Sequence, residues 1–178
     1  MDPTKEKGFE VYADADFSGN WNNGTAEFDS STAKSRTGYV ISLYGCPVIW
    51  TSKLQTQIAL SATEAEYIAL SQALRDTIPV MNLTKELHER GIQGEYIIPK
   101  IYCKAFEDNM GAIELAKIPK MRPRTKHINL VYHHFREYVR EGLIDIISID
   151  TKNQIADMLT KPLQQNMFVY LRNKLLHW

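Results

Sequence analysis

The side chain most out of place in this sequence is Glu66. At 3.6 residues per turn, positions 62, 66, 69, 70 and 73 share one face of a helix, and Ala62, Ala69, Leu70 and Ala73 make that face small and apolar. A carboxylate that interrupts a stripe packed on a sheet is costly unless it is paired or bound to a cation. The alternative is a stripe that rotates and leaves Glu66 at the solvent margin, where most glutamates lie. Glu64 lies about 200° away around the helix and suits a capping role. Three aspartates fall at expected element boundaries: Asp14 at the end of a strand, Asp108 between a strand and a helix, and Asp157 in the first turn of a helix. Open sheets build their sites at such boundaries. Each aspartate also has a local explanation, since Asp108 could cap the helix after it and Asp157 could complement a helix dipole.

The elements that must position these residues are legible from periodicity. In Gly8-Phe-Glu-Val-Tyr-Ala-Asp14 apolar and polar residues alternate as in a half-buried strand, with Asp14 on the face opposite Val11. A polar loop over about 17–36 follows, then strands over 37–44 and 46–52 separated by Gly45, which read as a hairpin. Ser61 caps a helix running to about Leu74, with Glu64 three residues on completing a capping box. A second helix is expected from Ile78–Pro79 to Gly91, with proline in its first turn. Residues 96–98 and 101–106 read as one interrupted strand, 109–117 as a helix, 126–141 as a long helix, 143–149 as a strand, 154–160 as a short helix capped by Asn153, and 164–177 as a last helix. The expected order is β β β α α β α α β α α, an α/β chain whose mixed five-stranded sheet has a three-strand antiparallel meander, two further strands and helices on both faces.

Composition sets outer limits. With 178 residues and 44% apolar side chains, the chain has enough to bury one core without disulfides or a structural metal. Lys plus Arg and Asp plus Glu number 21 each, so the net charge is zero and a purely electrostatic nucleic-acid binder is disfavoured. A local basic run remains: Lys117, Lys120, Arg122, Arg124 and Lys126, with His127 next and Pro119 and Pro123 holding the segment extended. It is either a solvated loop or a phosphate-contacting arm. Cys46 and Cys103 have no metal-ligand spacing and read as buried thiols. No secretion signal or membrane-length apolar run is expected, which makes the sequons at Asn23 and Asn82 uninformative and points to a cytoplasmic setting.

Several short motifs connect these features. Ala65-Glu66-Tyr-Ile-Ala-Leu-Ser-Gln-Ala-Leu74 resembles the Ala-Glu-Leu-Ile-Ala-Leu-Thr-Gln-Ala-Leu helix of retroviral ribonuclease H domains. Tyr12-Ala-Asp-Ala-Asp-Phe-Ser-Gly19, Ser35-Arg-Thr-Gly-Tyr39, Ser61-Ala-Thr-Glu-Ala-Glu-Tyr67, Glu107-Asp-Asn109, Arg124-Thr-Lys-His-Ile128 and Ala156-Asp-Met-Leu-Thr-Lys-Pro162 occur in the order found in the ribonuclease H domain of copia-type LTR retrotransposon polyproteins. The chain is similar to that family over about residues 9–163. The resemblance implies a linker from a preceding polyprotein region at 1–8, a ribonuclease H domain at 9–163 and a C-terminal helical extension at 164–178.

The resemblance also implies a site. The family's catalytic and metal-binding carboxylates map to Asp14, Glu66, Asp108 and Asp157, with Asp16 two residues on as the competitor for the first position. Gathered carboxylates stay ionised only with cations between them, and hard oxygen ligands favour Mg²⁺, with Mn²⁺ as substitute. Two ions ~4 Å apart suit an in-line phosphodiester displacement that leaves a 5′-phosphate. The implied activity is endonucleolytic hydrolysis of the RNA strand of an RNA–DNA hybrid, within a reverse transcriptase and a cytoplasmic retrotransposon particle. The implied partners are the hybrid and the polymerase or connection part of the same polyprotein, with no membrane and a monomeric isolated domain. The basic run would contact phosphates, and Asn109, Ser35, Arg36 and Gln72 are candidates for minor-groove and 2′-hydroxyl contacts. Trp50 reads as a core or interface residue, with stacking on a sugar or base as the alternative. One departure stands out: the family's loop histidine before the last catalytic helix is missing from Asp150-Thr-Lys-Asn153, and His133 and His134 read as structural. The rival functions are a catalytically silent module of the same fold that binds hybrids or tethers to the polymerase, and another nuclease or an integrase on that fold.

Overall fold

Alternation along five short segments builds one sheet. The computed structural model describes residues 8–21, 24, 28–92, 102–118 and 133–177. Its strands are β1 (Phe9–Asp16), β2 (Arg36–Leu43), β3 (Cys46–Leu54), β4 (Cys103–Glu107) and β5 (Ile144–Ser148), in the spatial order β3-β2-β1-β4-β5. β1, β2 and β3 pair antiparallel, while β4 lies parallel to β1 and to β5. This is the expected mixed sheet with its meander. Leu43 pairs with Cys46, so the β2–β3 turn is Tyr44–Gly45, both with positive φ. Two left-handed residues match the twist of a tight hairpin.

The helices are α1 (Ala62–Glu89), α2 (Met110–Lys117), α3 (Arg136–Arg140), α4 (Asp157–Thr160) and α5 (Gln165–Leu176). α1 covers the face carrying Phe9, Val11, Ala13, Tyr39 and Ile41, and its Ala65, Ile68, Ala69, Leu70, Ala73 and Leu74 are buried there. The opposite face carries Tyr12 and Val40, covered by Ile155, Ala156 and the partly buried Leu159 and Leu175. Leu171 of α5 is fully buried, so the last helix packs on the sheet. No helix among the described residues is long and apolar enough to cross a membrane.

Three expectations are corrected. The helices expected at 61–74 and 78–91 are one continuous helix of 28 residues with Pro79 inside it. Proline removes the hydrogen bond to the carbonyl of residue 75. Pro79 and Arg75 are both exposed, so water can satisfy that carbonyl, while buried Thr77, Ile78 and Met81 hold the helix to the core. In place of a helix through 141 from 126, the described part turns at 133–135 and is α-helical only over Arg136–Arg140. Asn153 does not cap a helix; it ends a 3-10 turn capped by Asp150, and α4 begins at Asp157. Residues 96–98 and 126–132 lie outside the described residues.

Candidate active site

The site forms where two parallel strands part. β1 pairs with β4 from Phe9–Cys103 to Tyr12–Phe106, and β1 then runs on to Asp16 alongside β2 alone. The open backbone groups of this fork are met by side chains. Gln154, fully buried, donates from Nε2 to the Ala13 carbonyl at 2.9 Å and lies 3.5 Å from the Phe106 carbonyl. Glu66 Oε2 accepts from the Ala15 N–H at 2.7 Å. The fork lies beyond the carboxyl end of β4 and beside the outgoing half of β1, where open sheets of this kind bind ligands.

Three carboxylates converge there. Asp14, Glu66 and Asp108 each offer an oxygen within 4.8 Å of the others. Asp14 lies within β1 rather than at its end, and is 2% exposed. Glu66 is 8% exposed, which settles the choice between a buried and a marginal position. The buried stripe begins at Glu64; Ala62 is exposed. Glu64 Oε2 accepts from the Leu60 N–H and Ser61 Oγ accepts from the Glu64 N–H, so both residues cap α1. Asp108 is free of capping because Asn109 takes that role, its Oδ1 accepting from the Ala112 N–H at 3.1 Å. Asp16 is half-buried and outside the three-carboxylate group.

Asp157 reaches the same place from α4. Its Oδ1 forms an ion pair with Lys161 Nζ at 2.9 Å, and Lys161 Nζ is 4.0 Å from Asp14 Oδ2. The Thr160 hydroxyl donates to Asp14 Oδ2. α4 approaches this closely because Gly38, which pairs with Asp14 across the β1–β2 ladder, has no side chain: a Cβ there would meet Thr160 Cγ2 at 2.6 Å and Leu159 Cβ at 2.9 Å.

Sequence reasoning missed Glu107, Gln154, Thr160 and Lys161 as site residues. Glu107 is fully buried, with Oε1 accepting from the Asn109 N–H at 3.1 Å and Oε2 without a hydrogen-bond partner. Strand alternation carried a usable signal, because Glu107 shares the face of Cys103 and Ala105, both fully buried. Gln154 had none: it lies in a short turn between strand and helix.

Mutual repulsion and burial dominate the electrostatics. Burial, then the charge on Glu107, Asp14 and Asp108, pushes Glu66 up to about 11, against the Ala15 N–H bond. Burial raises Asp14 to about 6, opposed by the Thr160 hydroxyl and Lys161 and reinforced by Asp157 and Asp108. Burial likewise raises Glu107 and Asp157. Burial and repulsion favour the protonated forms, Glu66 and Glu107 most strongly, and cations can take the place of those protons.

The other expected contacts scatter. Arg36 opens β2 beside Asp16, with Nη1 3.4 Å from Ser52 Oγ. Gln72 is half-buried on α1 with Oε1 unpartnered. Ser35 is fully buried and accepts from the Ser18 N–H at 3.4 Å, a packing position rather than a surface one. Lys117 is exposed at the end of α2, while Lys120, Arg122, Arg124, Lys126 and His127 lie outside the described residues. Tyr67 Oη is 2.6 Å from His133 Nδ1 and accepts from Arg136 Nε at 3.0 Å, so His133 belongs to a structural network tying α1 to the start of α3; His134 is exposed. Trp50 is 65% exposed on β3, outside the core. Cys103 is buried and Cys46 only partly so.

Comparison with known proteins fits this geometry. The chain is 38% identical over 157 residues to the retrovirus-related Pol polyprotein from transposon TNT 1-94 of Nicotiana tabacum, a match covering 88% of the chain and 10% of that polyprotein. It is 35% identical over 165 residues to the corresponding polyprotein from transposon RE2 of Arabidopsis thaliana, covering 93% and 10%. The chain is homologous to a segment of the Pol polyproteins of plant transposons. It spans about a tenth of the length of these curated relatives. Among solved structures, the N-terminal RNase H domain of rv2228c from Mycobacterium tuberculosis superposes with a TM-score of 0.53 at 12% identity, over 93% of this chain and 96% of that one. At that identity the likeness establishes the ribonuclease H fold. No protein-family model matches. In this Pol-polyprotein homologue, then, the ribonuclease H fold carries a buried acidic fork between β1 and β4, with α4 closing one side.

Proposed function

We propose that the chain is the ribonuclease H of a retrotransposon polyprotein, hydrolysing the RNA strand of RNA–DNA hybrids. The observation that carries this reading is the gathering of Asp14, Glu66 and Asp108 oxygens within 4.8 Å at the fork. Two buried carboxylates and a half-buried third are stable together only with protons or cations, and an all-oxygen donor set favours Mg²⁺ or Mn²⁺. A further buried oxygen without a partner, Glu107 Oε2, adds to that demand. When bound, such ions supply Lewis-acid chemistry for phosphodiester hydrolysis.

The chain's own residues hold and orient. Asp14, Glu66 and Asp108 form the inner ligand set, with Asp157 joining from α4. The Ala15 N–H fixes one Glu66 oxygen, and the Thr160 hydroxyl fixes one Asp14 oxygen, so each carboxylate presents its other oxygen in a set direction. Gln154 ties the ends of β1 and β4 and keeps Asp14 and Asp108 at their separation. Arg36, Asn109 and Gln72 are the proposed contacts for sugar and minor groove, and Lys117 with Lys120, Arg122, Arg124, Lys126 and His127 forms the proposed phosphate-contacting basic run. The polymerase part of the same polyprotein is the proposed partner, and a cytoplasmic particle the proposed setting.

The test is cleavage of a hybrid labelled on its RNA strand, with Mg²⁺, at saturating enzyme and low salt. RNA-strand cleavage by the wild type, lost in Asp108→Asn, is the expected result. Absence of cleavage by the wild type refutes the nuclease, and equal cleavage by the variant refutes the site.

A further inference from the structure

Among the described residues, Lys161 is the one ammonium within ion-pair distance of the acidic fork, and its placement separates the four carboxylates into two sets. Asp14, Glu66 and Asp108 are within mutual reach, and Asp157 is not part of that group. Asp157 is held instead by Lys161 at 2.9 Å, with Asp14 Oδ2 at 4.0 Å on the same ammonium. α4 is a single turn that Asp157 opens and Lys161 caps, so their side chains emerge one above the other. Pro162 follows Lys161 and favours the extended backbone observed there, φ −139° and ψ 154°, which ends the helix at this point.

The two sides of Asp14 differ accordingly. Its Oδ2 faces Thr160 and Lys161. A cation held by the three-carboxylate group leaves the Lys161 pair intact. A second cation drawing on Asp157 and Asp14 meets a positive charge already seated there. Lys161 is the more mobile member of the pair: its side chain is 35% exposed, against 7% for Asp157, and its four-carbon stem is flexible.

We propose that Lys161 is an internal competitor for the second divalent cation, occupying Asp157 until that ion displaces its ammonium. The proposal rests on the metal-dependent reading of the site given above. It makes the two ions unequal, the first bound by the three-carboxylate group and the second weakened by the protein's own cation. Occupancy of the second position, and with it turnover, then follows divalent-ion concentration.

The experiment is a titration of the metal-free full chain with Mn²⁺, following free Mn²⁺ by electron paramagnetic resonance and heat by calorimetry, without nucleic acid. Lys161→Met and Lys161→Gln remove the charge, and Lys161→Arg keeps it. Like charges a few ångströms apart in a partly buried site repel strongly, so both neutral variants are expected to bind the second ion about tenfold or more tightly. The first-ion affinity should rise by a smaller factor, because that site lies farther from the ammonium, and Lys161→Arg should follow the wild type. In cleavage assays the Mg²⁺ concentration for half-maximal rate should fall in the neutral variants. Unchanged second-ion affinity in both neutral variants, each checked for a native melting transition, overturns the proposal. So does tightening in Lys161→Arg equal to that in Lys161→Met, because charge is then not the cause. Absence of Mn²⁺ binding by every form, wild type included, overturns the metal reading and this proposal with it. Binding with no effect of Lys161 overturns this proposal alone.

Discussion

Gly38→Ala tests whether the site depends on how closely α4 lies on the sheet. The added methyl would sit 2.6 Å from Thr160 Cγ2, 2.9 Å from Leu159 Cβ and 3.1 Å from the Ala156 carbonyl. Ordinary contacts between carbons are about 3.5–4.0 Å, so the nearest is short by about 1 Å. All three neighbours belong to one segment, Ala156–Thr160, and relief means lifting that turn off β2. Overpacking of this kind costs about 1–3 kcal/mol, offset in part by the roughly 0.4–1 kcal/mol gained from restricting the unfolded chain. For a chain of this size the net loss corresponds to a fall in Tm of a few degrees, roughly 2–8 °C. The functional loss should be larger. Asp157, Thr160 and Lys161 ride on the displaced turn, and a misplacement of about 1 Å can lower a catalytic rate by about 10²-fold. Thermal melting and single-turnover hybrid cleavage, run on the same preparation, read the two effects. Thr160→Ser in the Gly38→Ala background removes the nearest methyl while keeping the hydroxyl that reaches Asp14, and should recover part of both. A Gly38→Ala protein that melts within 1 °C of the wild type and cleaves at its rate would refute the argument that this contact sets α4.

Three further outcomes follow from the same physics. Asp14 is raised from 3.8 to about 6, and a carboxyl that binds its proton more tightly when folded stabilises the fold fully below its unfolded value and loses that contribution as pH rises through the folded one. The metal-free protein should therefore lose Tm between about pH 4 and pH 7, and the Tm increase produced by Mg²⁺ should grow over the same range; a pH-independent Mg²⁺ effect would count against the carboxylate site. Pro79→Ala should raise the urea midpoint by an amount worth about 1–3 kcal/mol, because it restores the hydrogen bond to residue 75 in an exposed helix interior; no change would mean that Pro79 carries no strain. Hybrid binding by Asp108→Asn should weaken with salt at a log–log slope of about −0.9 or somewhat less per phosphate contact, and neutralising Arg122 and Arg124 should flatten it; an unaltered slope would exclude those two side chains from phosphate contact.

Glu66 was legible because its misfit is local. A carboxylate in an apolar stripe at helical spacing needs no knowledge of the partner surface, and the structure buries it. The meander was legible because alternation and a two-residue turn are short-range properties, and the β2–β3 pairing follows directly from Tyr44–Gly45. The break expected at Pro79 failed because burial of Thr77, Ile78 and Met81 outweighs one lost hydrogen bond on an exposed face. Asp108 and Asn109 show the limit of a local rule. Either could cap α2, and only the backbone geometry assigns the cap to Asn109.

The acidic residues themselves, their order along the chain and the elements that carry them were thus written in the sequence. Which of them meet was not. Asp14, Glu66 and Asp108 come together because β1 and β4 stop pairing after Tyr12 and Phe106, α1 lies across the gap, and Gln154 holds it open. Asp157 is paired with Lys161 because Gly38 lets a single-turn helix settle on β2. Periodicity specifies the direction in which a side chain leaves its own element. The distance between side chains on different elements depends on strand register and on how closely backbones pack, and those are settled only when the whole chain has folded.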